Sequence, residues 1–204
     1  QNDETLLFAS EIKAFLDHPD FVKEFNEEIL SAYLCFNSVP TEETFFKGVK
    51  RIEPGYQLIY KDNNLELERF FKLEFTEKLK DTDKAAKEIA AAMEDSVKRN
   101  FDTDVPMGSL LSSGVDSSYI VSFAKPEKTF TVGYDNQKYN ESTYAKDLAD
   151  KLGIENIPQI VSQDEYIKNF PKLMYHMDEP LADPSTIALY SVTELASHHV
   201  KILT

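Results

Sequence analysis

The chain has 204 residues, room for between one and two domains at about 150 residues each, and its 42% hydrophobic and 12% aromatic content is ample for a packed core rather than disorder. Lysine and arginine number 22 against 36 acidic residues, a formal charge of −14 with pI near 4.7, which sets aside nucleic acid and anionic membranes as partners. No apolar run approaches the roughly 18 residues of a membrane span, the acidic start Gln1-Asn2-Asp3-Glu4 lacks the basic end of a signal peptide, and a single cysteine, Cys35, rules out an internal disulfide, so a soluble cytoplasmic protein is expected.

In chain order, Ser10 to Leu16 forms a short helical pattern that stops at Asp17-His18-Pro19, and Asp20 to Phe36 predicts a helix with Phe21, Val22, Phe25, Ile29, Leu30, Tyr33 and Leu34 on one stripe. Cys35 lies in that apolar stripe and reads as a buried core thiol. Tyr56–Tyr60 and Leu65–Phe70 alternate around Asp62-Asn63-Asn64 and predict a hairpin opened by Gly55. The charged stretch Glu77 to Asp83 marks a boundary, giving one unit over 1–76 and a second over 77–204. The second starts with a helix carrying Ala86, Ile89, Ala90, Met93 and Val97 on one face. Strands at Val105–Leu111, Lys128–Tyr134 and Glu155–Val161 alternate with helices at Ser117–Ala124 and Ser142–Leu152, the latter closed by Gly153. Ser162-Gln163-Asp164-Glu165 is a capping box that opens another helix, and a last helix spans Ser185 to His198. This alternation predicts an α/β fold, a mostly parallel sheet with helices on both faces. The terminal segment Val200-Lys201-Ile202-Leu203-Thr204 reads as a strand from whose end a functional loop is expected, so the chain is expected to be a fragment of a longer protein.

Leu110-Leu111-Ser112-Ser113-Gly114-Val115-Asp116-Ser117-Ser118 sits between a strand and a helix, where first-turn amides lack partners inside the helix and meet the positive end of its dipole. Serine hydroxyls add donors, and Gly114 permits close approach of a ligand to the backbone. Asp116 is unfavourable beside phosphate unless a cation stands between them, and Mg²⁺ bridging carboxylate and phosphate oxygens resolves that conflict. The residues thus describe a cradle for Mg²⁺-bound polyphosphate, with a simple capped turn as the plain alternative. No Gly-Lys-Ser/Thr follows and no Gly-x-Gly-x-x-Gly fits, which separates the loop from a Walker A motif and from dinucleotide binding.

At these residues the chain resembles the glutamine-hydrolysing asparagine synthetases, whose synthetase domain is an N-type ATP pyrophosphatase. The family signature Ser-Gly-Gly-x-Asp-Ser-Ser is matched by Ser112 to Ser118, with Ser113 replacing the first glycine. Thr129–Tyr134, Tyr139–Ala145 and Asp178–Ser185 follow in the family's order, and upstream Leu7–Lys13 and Phe46–Gly55 resemble the end of its glutaminase domain. The resemblance implies an adenine nucleotide alpha-hydrolase-like fold over 77–204, preceded by a partial α+β segment of an Ntn-type glutaminase domain over 1–76. It implies synthesis of asparagine from aspartate, ATP and glutamine-derived ammonia through a β-aspartyl-AMP intermediate. ATP and Mg²⁺ would be held by Ser112, Ser113, Gly114, Asp116, Ser117 and Ser118, with Asp116 the metal ligand. Leu110, Val132 and Gly133 would line the adenosine pocket, largely through backbone groups. Other parts of the same polypeptide would be the partners, with a homodimer left open.

Three departures accompany the resemblance. The family's glutaminase nucleophile is an N-terminal cysteine, whereas this chain starts at Gln1, and Cys35 does not replace it. The family's second nucleotide loop, with its acidic catalytic residues, would begin after Thr204, so no catalytic residue is assigned. Ser113 would cost about 1–2 kcal/mol if its position requires φ > 0. Asp178, Glu179 and Asp183 read either as a solvated turn with Ser185 as cap or, by the resemblance, as the wall of a substrate pocket; Glu141 reads either as part of a helix start or as a neighbour of the nucleotide. His198 and His199 diverge on a helix, and neither His18 nor His176 has a metal-ligating partner four residues on, so no zinc site is expected. Two alternatives remain: a related ligase acting on another carboxylic acid, and a degenerate non-catalytic module marked by Ser113.

Overall fold

A computed structural model describes residues 5–75, 80–135, 140, 142–181, 183 and 185–204. The chain forms two compact units, Gln1–Thr76 with Pro171–Asp183, and Glu77–Phe170 with Pro184–Thr204. The sequence reading assigns everything after residue 76 to one unit; the structure gives residues 171–183 to the first.

In the first unit a 3-10 turn spans Ile12–Phe15, and a second, Glu27–Ile29, runs into helix α1 (Leu30–Phe36). Asn26 accepts from Glu28 N at 3.3 Å and donates to Thr44 O at 3.1 Å, while its own amide donates to Phe45 O at 3.0 Å. Phe25 also bridges to Phe46. That pairing commits the backbone before Asn26 to an extended course, so the helix predicted from Asp20 cannot begin there. Cys35 is exposed rather than buried, a correction to the stripe reading. None of α1's own residues is buried, and Leu34 and Phe36 are 69% and 67% exposed. The predicted hairpin forms from β1 (Tyr56–Lys61) and β2 (Asn64–Arg69), registered from Tyr56 opposite Arg69 to Lys61 opposite Asn64. Its two loop residues, Asp62 and Asn63, have φ of 52° and 60°, the left-handed pair that a type I′ turn requires.

The second unit begins with α2 (Thr82–Phe101), capped by Asp81, which accepts from Asp83 N and Lys84 N. Next come β3 (Met107–Leu110), α3 (Val115–Ala124), β4 (Lys128–Tyr134), α4 (Ser142–Leu152) and β5 (Glu155–Val161). Helix α5 (Gln163–Met177), α6 (Ser185–Ser197) and the short β6 (Ile202–Leu203) complete the order. The four strands pair in parallel as β5-β4-β3-β6, the α/β sheet that the alternation predicts. Leu111, Val121, Ala145, Ala149 and Ile154 form the core that α3 and α4 share with one face. Phe130, Val192, Ala196 and Val200 form the core under α6 on the other face. Among the described residues no helix is long and apolar enough to cross a membrane.

Gly153 follows α4 at φ 70°, and the capping box closes as expected: Ser162 N donates to Glu165 Oε2 at 2.9 Å and Glu165 N to Ser162 Oγ at 3.3 Å. The Ser162 amide, and then its hydroxyl, holds the Glu165 carboxyl below its ordinary range. A depressed folded value means this box contributes fully above the unfolded carboxylate range and loses its contribution as pH falls through the folded value. Replacement by Ser162→Ala is expected to move the Glu165 titration upward in a carboxyl-resolved NMR titration. Gly108 lies where β3 meets β4: a Cβ there would stand 2.7 Å from Phe130 Cε2 and 3.2 Å from Lys128 O. Gly108→Ala in the intact protein is expected to cost about 1–3 kcal/mol by overpacking, read from denaturant unfolding.

Candidate functional site

Strand β3 delivers the chain to the site through a buried residue. Leu111 donates its amide to Phe130 O at 2.9 Å and packs under α3 and α4, so the turn that follows leaves from a fixed point. On one side of β3 lie β4 and β5; on the other lies β6, where Leu110 N donates to Thr204 O at 2.6 Å and Thr204 N donates to Gly108 O at 3.1 Å. The direction of strand addition therefore reverses at β3, and crevices beyond strand carboxyl ends at such reversals are where open α/β sheets bind ligands.

Gly114 is the residue before α3, with φ −71° and ψ 150°. Its amide donates to Ser112 Oγ at 3.1 Å, and its carbonyl accepts the hydroxyls of Ser117 (3.2 Å) and Ser118 (2.7 Å). Ser112 and Ser117 share a further hydroxyl contact at 2.8 Å, and Ser112 N donates to Ser117 Oγ at 3.2 Å. The first helical bond of α3 runs from Ser118 N to Gly114 O. The amides of Val115, Asp116 and Ser117 therefore precede every acceptor inside the helix and sit at its positive pole. The loop is exposed from Ser112 to Asp116. Among the described residues the non-glycine positions with left-handed φ are Asn37, Asp62, Asn63, Lys125 and Asp178, and Ser113 is not one of them. The strain that Ser113 would bring at a left-handed position does not arise in this loop.

Among the described residues no group of three or more His, Cys, Asp and Glu side chains could enclose a metal ion. The donor set nonetheless fits Mg²⁺ carried by a polyphosphate, since that ion keeps its waters and takes one or two carboxylates beside phosphate oxygens. Asp116, exposed in the first turn of α3, is the carboxylate that the loop offers.

Leu110, Val132 and Gly133, which the resemblance assigns to the adenosine pocket, are placed by packing. Leu110 and Val132 turn their side chains into the core under α6, leaving backbone groups at the strand ends. Gly133 stands against Asn140, so that a Cβ would meet Asn140 Oδ1 at 2.8 Å and Ile160 Cδ1 at 2.6 Å. Asn140 in turn accepts from Ser142 N (3.1 Å) and Ser142 Oγ (2.6 Å) at the start of α4. Sequence reasoning passes over Asn140, although an Asn two residues before a helix's first Ser is a capping signal. Glu141 lies outside the described residues.

Asp178 and Glu179 belong to the first unit, and the chain's own donors occupy both carboxylates. Ile12 N and Lys13 N donate to Asp178 at 2.7 and 3.1 Å, and Phe45 N and Arg51 Nη1 donate to Glu179 at 3.1 and 2.9 Å. Asp183 is exposed, two residues before α6.

Comparison with known proteins divides the chain in two. The asparagine synthase family model matches residues 88–203, and the glutamine amidotransferase domain model matches residues 1–71. The chain is 42% identical to a protein named asparagine synthetase [glutamine-hydrolyzing] 1 from Bacillus subtilis strain 168, over 98% of this chain and 32% of that protein. It is 33% identical to a putative asparagine synthetase [glutamine-hydrolyzing] from Mycobacterium bovis, over 96% and 32%. It is 26% identical to amidase chyE of Penicillium rubens, over 93% and 31%. The chain thus spans about a third of the length of the curated relatives it matches.

Gly133 and Asn140 make a measurable pair. Asn140→Ala removes a helix cap and is expected to cost about 1 kcal/mol. Gly133→Ala is expected to cost about 1–3 kcal/mol, and the double variant less than the sum because the added methyl displaces the same side chain. Strict additivity in thermal unfolding of the intact protein would contradict this placement.

Proposed function

This chain belongs to the asparagine synthase family, and from that premise we propose that the protein it forms part of converts aspartate to asparagine with ATP, releasing AMP and pyrophosphate. The observation that carries the reading is the 112–118 loop: an exposed helix N-terminus at the reversal point of a parallel sheet, with a single carboxylate in its first turn. Residues 1–76 are read as part of a glutaminase domain that supplies ammonia from glutamine, and 77–204 as part of the synthetase domain. The family matches over 1–71 and 88–203 support that division. Its partners are then small molecules, aspartate, ATP and ammonia, together with the remainder of the same polypeptide. A cytoplasmic location suits a chain with one cysteine, which stays reduced there.

The chemistry follows from the acid. Ammonia does not displace oxide from a carboxylate, so the β-carboxylate first attacks the α-phosphorus of ATP, forming an acyl-adenylate as the bond to pyrophosphate breaks. Ammonia then attacks the acyl carbon, AMP leaves, and a proton is released. The amides of Val115, Asp116 and Ser117 receive the departing pyrophosphate oxygens, where the dipole of α3 favours negative charge. Ser112 and Ser113 line the same loop, the hydroxyls of Ser117 and Ser118 hold the Gly114 carbonyl and so fix the amides that meet those oxygens, and Gly114 keeps the backbone open to them. Backbone groups of Leu110, Val132 and Gly133 hold the adenosine. Mg²⁺, when bound, neutralises charge on the phosphates. Asp116 would hold that ion. Asp178 and Glu179 are left out of this pocket because their carboxylates already accept from Ile12, Lys13, Phe45 and Arg51.

The same adenylating chemistry on another carboxylic acid is a second reading, supported by the likeness to a relative named as an amidase. Incubating the full-length protein with Mg-ATP, ammonium and a panel of acids decides between them. The expected result is AMP and pyrophosphate in equal amounts, formed with aspartate and not with other acids. Release of ADP and phosphate would overturn the mechanism, and turnover with a different acid alone would establish the second reading.

A further inference from the structure

The Asp178-Glu179 pair occupies an unusual position. Both residues fall in the stretch matched by the asparagine synthase model, yet they fold into the unit built mostly from the amidotransferase-matched stretch. Asp178 has φ 60°, a left-handed conformation that aspartate adopts more readily than most residues because its short polar side chain bonds locally. Its surroundings are specific. Asp178 Oδ2 accepts from Ile12 N at 2.7 Å, and Oδ1 accepts from Lys13 N and Lys13 Nζ, both at 3.1 Å. Lys13 Nζ also donates to His176 O at 3.0 Å, and the Lys13 and Asp178 side chains are only 13% and 12% exposed. Glu179 Oε1 accepts from Phe45 N at 3.1 Å, and its Oε2 pairs with Arg51 Nη1 at 2.9 Å. The other end of that guanidinium donates to Glu43 O at 3.0 Å, tying the loop around residues 39–45 into the same network.

We infer that Asp178 and Glu179 are positioning residues: a clasp that fastens the synthase-matched segment 171–183 to the amidotransferase-matched chain and so couples use of glutamine to amide formation. The inference rests on the proposed function. Charge-assisted bonds to partly buried carboxylates are the strong class of hydrogen bond, and here two adjacent side chains collect donors lying more than 120 residues away in sequence. In the sequence the clasped segment is followed by α6, whose Val192 and Ala196 pack beneath Phe130 and Leu110 within the second unit. A segment held at Asp178 and Glu179 by amidotransferase-matched donors, and followed in the sequence by the helix that packs on Phe130 and Leu110, is suited to couple ammonia supply to ammonia use.

The test uses the full-length protein and two rates from each preparation: asparagine formed per glutamate released when glutamine is the nitrogen source, and asparagine formation driven by ammonium. Arg51→Met removes the Glu179 pair, Asp178→Ala removes the other half, and Arg51→Lys keeps the charge. Arg51→Met and Asp178→Ala are expected to lower asparagine per glutamate about tenfold, as loss of a charge-assisted bond allows, and Arg51→Lys to restore most of it. The ammonium-driven rate of Arg51→Met should stay within about twofold of wild type, a control on folding that is decisive if Asp178→Ala fails to fold. An unchanged ratio, or a proportional fall in both rates, would overturn the clasp. A wild-type protein that forms no asparagine from ammonium, aspartate and Mg-ATP would instead overturn the proposed function.

Discussion

The amide and carbonyl of Gly114 hold the turn from β3 to α3 closed, the amide on Ser112 Oγ and the carbonyl under the hydroxyls of Ser117 and Ser118. Because those hydroxyls bond within the turn, the loop keeps its shape without a ligand, and the amides of the first helical turn, which have no acceptor inside the helix, stand already aligned. Preorganisation of this kind lowers the cost of binding, since little of the loop remains to be ordered when an anion arrives. A carboxylate at the positive end of a helix also stabilises that helix by itself. Asp116 therefore has a local structural benefit in addition to the metal-holding role proposed for it.

The loop is only as well placed as the strand beneath it, and β3 is fixed by a polar belt as much as by apolar packing. Thr131 Oγ1 donates to Leu111 O at 2.7 Å, Asn156 Nδ2 donates to Thr129 Oγ1 and Thr131 Oγ1 at 3.0 and 2.8 Å, and Ser109 Oγ donates to Thr204 O at 3.1 Å. Ser109, Thr129 and Thr131 are buried, and among the described residues no buried side-chain nitrogen or oxygen lacks a hydrogen bond. A fully satisfied buried network specifies register strongly, because a slip by one residue would leave several of these groups unpaired. The sheet register, the fixed exit at Leu111 and the closed turn thus form one chain of constraints ending at Asp116.

How much of this is legible in the sequence depends on the range of the interactions. The hairpin, the strand–helix alternation, the capping box at Ser162 and the glycine after α4 are read correctly because each is decided by residues within about four positions of one another. The 112–118 loop is legible as a strand-to-helix turn for the same reason. The helix expected over Asp20–Phe36 is shorter because Asn26 and Phe25 are claimed by residues 44–46, a partner that periodicity does not reveal. Cys35 follows from the same error: the apolar stripe is real, yet α1 buries none of its residues. Asp178 and Glu179 read either as a solvated turn or as a pocket wall, and neither reading reveals that Ile12, Phe45 and Arg51, more than 120 positions away, donate to their oxygens. The polar belt of Ser109, Thr129, Thr131 and Asn156 is equally silent, since small hydroxyl residues inside strands carry no signal of the cross-strand bonds they make.

The account stands on the loop as a cradle for Mg²⁺-bound polyphosphate, and calorimetric titration of the full-length protein with Mg-ATP tests it most directly. Wild type should bind, Asp116→Ala should bind at least about tenfold more weakly because it removes the loop's metal-holding carboxylate, and Ser113→Gly should bind as wild type does. Equal affinity of Asp116→Ala and wild type for Mg-ATP would contradict the cradle.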